Sequence, residues 1–189
     1  SCLNCLDAFA LWHRRYLDAL GKSCQYKANY ENLKHVPFEP AESFYEAVQS
    51  LWFTFAFIRL CGNWPGIGRL DWLLGDYLEK DLQNGKITLD EAREILAHFF
   101  IKGCEWVNGQ FIGSGDAQHY QNILLGGIDR NRKEVTNEVT FLVLDILEEL
   151  GISDFPTTVR INSNTDEKHL RRMAEVMRYG GGILAVYNE

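Results

Sequence analysis

Arg160 is a charged side chain inside the β-rich run Thr157–Ile161, and it is a first candidate for chemistry. In a strand, Thr158 and Arg160 would share one face, because successive side chains point to opposite sides. A charge in a buried strand is costly unless it is paired. We therefore expect Arg160 either to bind a substrate anion or to form an ion pair with an acid such as Asp71.

The cysteines offer a second kind of chemistry. Cys2-x-x-Cys5 has half the spacing of a zinc knuckle, but no second pair follows, so we expect no metal on this chain. An odd, scattered set without a visible leader fits a reducing cytoplasm better than a disulfide framework. We interpret Cys104 as a buried structural thiol. The complete set is Cys2, Cys5, Cys24, Cys61 and Cys104.

Composition narrows the possible functions. The 189 residues carry a net charge of −7, which disfavours a nucleic-acid partner because little neutralises phosphates. Apolar residues make up 46% and aromatic residues 13%, which predicts a dense globular interior. The longest apolar run, Leu51–Leu60, is too short to span a membrane. We expect a cytoplasmic protein that binds a small molecule.

The pattern of apolar residues predicts helices that alternate with short strands. A capping box at Thr88 and Glu91 starts one helix, and Gly151 ends another. Residues 22–40 and 62–68 are expected to be irregular. The predicted helices are Cys2–Leu20, Ala41–Leu60, Leu70–Gln83, a helix from Thr88, a helix ending at Leu150, and Asp166–Tyr179 capped by Asn164 or Thr165. The predicted strands are Asn122–Leu125, Thr157–Ile161 and Ile183–Tyr187.

Strands that alternate with helices at roughly thirty-residue spacing are typical of βαβ units and a parallel sheet. We therefore predict a helix-rich α/β fold, with residues 1–189 as a single partial domain. The sequence begins with Ser1 and ends at Glu189 on a predicted strand. Parallel strands are normally paired on both edges, so we expect the chain to be a fragment.

Several short motifs, in order, resemble one known family. Pro40, Ala41, Phe44, Glu46, Ala47 and Gln49 fit the form PA-x-x-F-x-EA-x-Q. Gly68-Arg69-Leu70-Asp71 resembles a GR-x-D element, and Tyr77, Asp81-Leu82, Gly85-Lys86-Ile87 and Glu91-Ala92 resemble the stretch after it. Later matches are Gly126-Gly127, Asn137-Glu138-x-Thr140, Arg160 and Tyr187-Asn188-Glu189. This order and spacing resemble the glycyl radical enzymes of the pyruvate formate-lyase type.

The resemblance implies a ten-stranded α/β barrel made of two five-stranded halves, of which this chain is part of the first. Members carry a cysteine loop and a glycine loop. An S-adenosylmethionine-dependent iron–sulfur activating enzyme installs a glycyl radical, and a thiyl radical then cleaves a C–C or C–X bond. The resemblance also implies a homodimer at full length. Its partners would be a small polar organic substrate, the activating enzyme and the remainder of the barrel.

Neither loop is found in this sequence, and Cys104-Glu105 has the wrong spacing for the family's Cys-x-Glu. We therefore expect no catalytic residue and no turnover from this chain alone. One alternative is a non-catalytic truncated paralogue that pairs with a separate half-barrel partner. Another is an independent helical ligand-binding domain, which requires the three predicted strands to be helical.

The resemblance also indicates candidate substrate-binding residues. Asn63 and Trp64 occupy the place of a His-Ser pair in diol-dehydratase-like members and of Ala-Ala in pyruvate formate-lyase. Asn63 could donate and accept hydrogen bonds, and Trp64 could form an apolar wall, although both also fit an ordinary loop. His119 falls where pyruvate formate-lyase has a pocket tryptophan, and it could orient a carboxylate or simply be structural.

Two further pairs of residues are expected to support the site. Arg69 and Asp71 should brace the loop that carries Asn63. Gly126-Gly127, at the end of a strand, should allow close packing of the backbone, because glycine has no Cβ.

Overall fold

The structure is a computed structural model that describes residues 1–60, 66–104, 121–152, 154–180 and 184–189. The helices in these residues are α1 (Cys2–Leu20), α2 (Lys27–Leu33), α3 (Phe44–Arg59), α4 (Leu70–Gln83), α5 (Leu89–Gly103), α6 (Glu138–Leu150) and α7 (Glu167–Met177). The strands are β1 (Gly68–Arg69), β2 (Ile123–Gly126), β3 (Thr157–Ile161) and β4 (Leu184–Asn188). The described part is therefore helix-rich α/β, as predicted.

The four strands form one parallel sheet in the order β1-β2-β3-β4. Helix α6 connects β2 to β3, and α7 connects β3 to β4, so the predicted βαβ pattern is confirmed. The register aligns Gly126, Arg160 and Tyr187 across the last three strands. The helical alternative for these segments is wrong.

The two faces of the sheet differ in burial. Ile123, Leu125 and Val159 are fully buried beneath the helices, where they join the main apolar core. The alternate side chains point the other way and remain partly or largely exposed in the described part of the chain. We call this second surface the open face; it comprises Leu124, Thr158, Arg160, Ala185 and Tyr187.

Local sequence signals located several helix boundaries correctly. The Thr88 hydroxyl accepts from the Glu91 amide, and the Glu91 carboxylate accepts from the Thr88 amide, so the predicted capping box is present. Gly151 ends α6 with a left-handed backbone (φ 59°). Helix α4 has the predicted bounds.

Other boundaries differ from the predictions. Helix α3 begins at Phe44 with Ser43 as its cap, because the Ser43 hydroxyl accepts from the Glu46 amide. Helix α7 is capped by Asp166, not by Asn164 or Thr165. The segment 22–40 contains α2, and Gly68 belongs to β1. Both of these short elements depend on contacts with neighbouring parts of the chain, which no local pattern reveals.

Candidate functional site

The carboxyl ends of the parallel strands meet at one edge of the sheet, and polar groups gather there. Ligands of parallel α/β folds usually bind at this edge. Strand β2 ends at Gly126, and Gly126 and the following Gly127 both have a left-handed backbone (φ 67° and 77°). Both glycines lie close to Arg160 at the end of β3, where a larger residue would clash.

Arg160 forms an ion pair with Glu189 at this edge. The two side chains are only 27% and 16% exposed. Glu189 also accepts a hydrogen bond from the amide of Ile128 at 2.8 Å. The expected ion pair of Arg160 therefore exists, but its partner is Glu189 and not Asp71. One carboxylate thus links β3, the end of β4 and the segment after β2.

Gly127 is packed against this ion pair. A Cβ atom at Gly127 would lie 2.7 Å from Glu189 Oε2 and 2.8 Å from Arg160 Cβ. A Cβ at Gly126 would lie 2.9 Å from the backbone oxygen of Arg160. The close backbone packing predicted for this glycine pair is therefore confirmed.

Asp71 is fully buried in the first turn of α4 and joins three elements. Its Oδ2 accepts from the amide of Gly126 at 2.6 Å and from the Thr140 hydroxyl at 2.8 Å. The side-chain Nδ2 of Asn137 donates to the Asp71 backbone oxygen at 3.0 Å. Burial raises the pKa of this carboxyl, although the donated hydrogen bonds oppose that shift.

Arg69 also binds the carboxyl end of β2. Its guanidinium donates to the backbone oxygens of Gly126 and Ile128, both at 3.0 Å. It also lies over the ring of Trp72, 5.6 Å from the centroid. Arg69 and Asp71 were expected to brace the loop carrying Asn63, which lies outside the described residues; within them, they fix the end of β2.

A buried polar network beside Gly126 was missed by the sequence analysis. His169 on α7 is fully buried, and its Nδ1 lies 3.0 Å from the hydroxyl of Thr136. That hydroxyl donates to Glu134 at 2.6 Å, and Asn162 donates to the same carboxylate at 2.6 Å. Burial lowers the pKa of His169, which favours its neutral form. No short motif connects these residues, so the sequence gives no signal of the network.

Cys104 lies at the opposite edge of the sheet. The Gln121 side chain, just before β2, donates to the backbone oxygen of Gly103. The Gln121 backbone amide donates to the backbone oxygen of Asp154, before β3. Burial, together with the carboxylate of Asp154, raises the pKa of the Cys104 thiol to about 12. Cys104 is only partly buried, so the expected full burial is wrong, whereas the raised pKa agrees with an unreactive structural thiol.

Of the four predicted substrate-binding residues, the structure describes one. Arg160 lies at the carboxyl edge, and its substrate role stays a prediction. Asn63, Trp64 and His119 lie outside the described residues. Among the described residues, no group of three or more His, Cys, Asp or Glu side chains is arranged to hold a metal ion. None of the helices in the described ranges is long and apolar enough to cross a membrane.

A parallel sheet with helices on one face and polar groups at its carboxyl edge defines an α/β protein of the barrel-forming or open-sheet kind. The family model "Pyruvate formate lyase-like" matches residues 5–189. The chain therefore belongs to the pyruvate formate lyase-like family of glycyl radical enzymes.

Individual relatives agree with this assignment. The chain is 30% identical to the isethionate sulfite-lyase of Bilophila wadsworthia, over 97% of this chain and 24% of that protein. It is 30% identical to the trans-4-hydroxy-L-proline dehydratase of Clostridioides difficile, over 81% of this chain and 20% of that protein. A solved structure from work on 1,2-propanediol dehydration in Roseburia inulinivorans superposes with a TM-score of 0.82 at 27% identity, covering 96% of this chain and 25% of that one. The chain thus spans about a quarter of the length of its relatives.

Proposed function

We propose that this chain forms part of the first half of a ten-stranded α/β barrel in a glycyl radical lyase or dehydratase. That enzyme cleaves a C–C or C–X bond of a small polar organic substrate by thiyl-radical chemistry, in the cytoplasm of an anaerobic cell. An S-adenosylmethionine-dependent iron–sulfur activating enzyme supplies the glycyl radical. The complete protein is a homodimer, and the chain alone has no turnover.

The observation that carries this proposal is the open face of the parallel sheet. Parallel sheets are normally covered on both faces, because crossover helices and other elements pack on each side. In the described residues, helices cover only the face of Ile123 and Val159. Closure of a barrel would turn the other face inward and place Arg160 at the carboxyl end of its interior.

The described cysteines support the expectation of inactivity. Cys2 and Cys5 in α1, and Cys24 between α1 and α2, are exposed. Cys104 lies at the amino edge of the sheet, whereas Arg160 and the two glycines lie at the carboxyl edge. A thiyl radical must touch its substrate, so Cys104 is not placed to react beside Arg160.

A second candidate function is a non-catalytic truncated paralogue that pairs with a separate half-barrel. It is favoured by the outer edge of β4, since within the described residues this strand pairs only with β3. An unpaired strand edge is a ready template for another chain. The two candidates share the fold and differ in where the catalytic loops are encoded.

Sequencing the gene through and beyond the codon for Glu189 separates these candidates. A frame that continues into a cysteine motif and a glycine loop supports the enzyme proposal. A stop codon directly after Glu189 with a neighbouring gene for the missing half supports the paralogue. A stop codon with no such gene would contradict the enzyme proposal.

A further inference from the structure

The strands of the described sheet carry two cations, and both already have partners. Arg160 is paired with Glu189, and the guanidinium of Arg69 donates to the backbone oxygens of Gly126 and Ile128. The segments outside the described residues contain no lysine or arginine. No further cation of this 189-residue sequence therefore comes from those segments.

The other cations near this edge are solvated. Arg130, Arg132 and Lys133 lie in the exposed loop after β2, whose backbone amides are held by Asp129. Exposed cations attract anions weakly, because water and salt screen them. Arg160 is the half-buried cation on the open face, and the carboxylate of Glu189 cancels its charge.

We propose that Glu189 is a specificity-determining residue that makes this part of the site select a neutral, hydroxyl-bearing substrate over an anionic one. The inference rests on the proposed function, since it assigns the substrate class of that same site. An anion that binds Arg160 must either displace Glu189 from the guanidinium or lie beside its negative charge, and both are unfavourable. A neutral alcohol leaves the Arg160–Glu189 ion pair intact. It can form hydrogen bonds with the hydroxyl of Thr158 and the phenol of Tyr187 on the same face.

The variant Glu189→Gln removes the negative charge of this side chain and keeps its size. Glutamine has the size of glutamate, and its amide oxygen can still accept from Ile128. It leaves the Arg160 cation without a countercharge, and an uncompensated half-buried arginine binds sulfonate or carboxylate well. We expect the variant to gain affinity for anions and to leave affinity for neutral ligands unchanged.

Binding of two probes of similar shape tests this directly. Methanesulfonate is anionic, and dimethyl sulfone is its neutral counterpart. The protein expressed from its own gene should bind methanesulfonate more weakly than dimethyl sulfone by calorimetry, and Glu189→Gln should bind methanesulfonate roughly tenfold more tightly than the parent does. Adding Arg160→Gln to that variant should remove the gain.

Glu148→Gln is the matched control. It also removes a carboxylate from an arginine ion pair, that of Arg172, but on the helical side of the molecule. It should leave binding of both probes unchanged. The proposal is overturned if the unaltered protein already prefers methanesulfonate, or if Glu189→Gln gains no anion affinity while it remains folded by circular dichroism.

A turnover experiment distinguishes this inference from the proposed function. After anaerobic activation, the unaltered enzyme should favour 1,2-propanediol over isethionate in kcat/KM, and Glu189→Gln should reduce that ratio roughly tenfold. If electron paramagnetic resonance shows no glycyl radical, the proposed function fails, and the probe-binding result still decides the role of Glu189. If the radical forms and isethionate is favoured, the role of Glu189 is wrong and the proposed function stands.

Discussion

Asp71 and Gly126 are joined by a short hydrogen bond, 2.6 Å from the Gly126 amide nitrogen to Asp71 Oδ2. Arg69, two residues before Asp71, donates to the carbonyl oxygen of that same glycine. The start of α4 therefore holds both backbone groups of the last residue of β2. This arrangement fixes the carboxyl edge of the sheet, where the Arg160–Glu189 ion pair lies.

Asp71→Asn tests how far this link stabilises the fold. Asp71 Oδ2 accepts from Gly126 and Thr140, and Oδ1 accepts from the Trp72 amide. Asparagine keeps one acceptor oxygen, so the donors on one of these two sides lose their partner. We expect the free energy of unfolding to fall by about 1–3 kcal/mol in urea titrations. Asp76→Asn, an exposed position on the same helix, should change it little. Equal effects of the two substitutions would show that Asp71 is not a structural link.

His169 predicts a dependence of stability on pH. Burial lowers its pKa below the ordinary value of 6.5, while the nearby Glu134 and Asp166 oppose that shift. The unfolded chain then binds the proton of this histidine more readily than the folded chain does. The contribution of neutral His169 to the free energy of unfolding is therefore complete above pH 6.5 and is lost as the pH falls below that value.

Protonation of this one group changes the free energy of unfolding by at most about 1.4 kcal/mol per pH unit. Urea titrations at several pH values below 6.5 give the free energy of unfolding as a function of pH. This free energy should depend less steeply on pH in His169→Gln than in the unaltered chain. His98→Gln, at an exposed position, should keep the original slope. An unchanged slope in His169→Gln would rule out this origin.

Gly127→Ala tests the packing around the ion pair. The new Cβ would lie 2.7 Å from Glu189 Oε2, and the backbone at this position is left-handed. Gly85→Ala is the matched control, since its φ is +64° and nothing lies within 4 Å of its Cβ position. Both variants place alanine on a left-handed backbone, so the difference between their stabilities reports the clash of the new Cβ with Glu189 and Arg160. We expect Gly127→Ala to be about 1–3 kcal/mol less stable than Gly85→Ala.

Cys104 should react slowly with iodoacetamide in the native protein. A thiol with a pKa of about 12 carries roughly a thousandfold less thiolate at pH 8 than one with the ordinary value of 9.0. Mass spectrometry of alkylated peptides should show Cys2, Cys5 and Cys24 modified first. In urea, Cys104 should react like the others. Fast native modification of Cys104 would contradict its assignment as a structural thiol.

The sequence predicted those features whose causes are local. The Thr88–Glu91 capping box and the Gly151 terminus depend on residues within one helical turn, so their patterns were sufficient. The strand periodicity likewise placed Arg160 on the face opposite Val159. The resemblance to the family rested on motifs spread over most of the chain, and it was confirmed.

Two errors are local: the caps of α3 and α7 are Ser43 and Asp166, which accept hydrogen bonds within one helical turn. The other errors concern features that only the assembled fold determines. Strand β1 has two residues and exists because Gly68 and Arg69 pair with β2. The partner of Arg160 is Glu189, 29 residues away, because the register of β3 and β4 brings the ends of the two strands together. The His169 network joins α7 to residues more than thirty positions earlier. No spacing rule in one sequence could supply these contacts.

The most direct test of the account is electron paramagnetic resonance after anaerobic activation of two proteins. One is this 189-residue chain, and the other is the product of the complete open reading frame that encodes it. Each is incubated with the activating enzyme, S-adenosylmethionine and a reductant. We expect a glycyl radical signal from the complete product and none from the chain alone. A signal from the 189-residue chain, or none from the complete product, would contradict it.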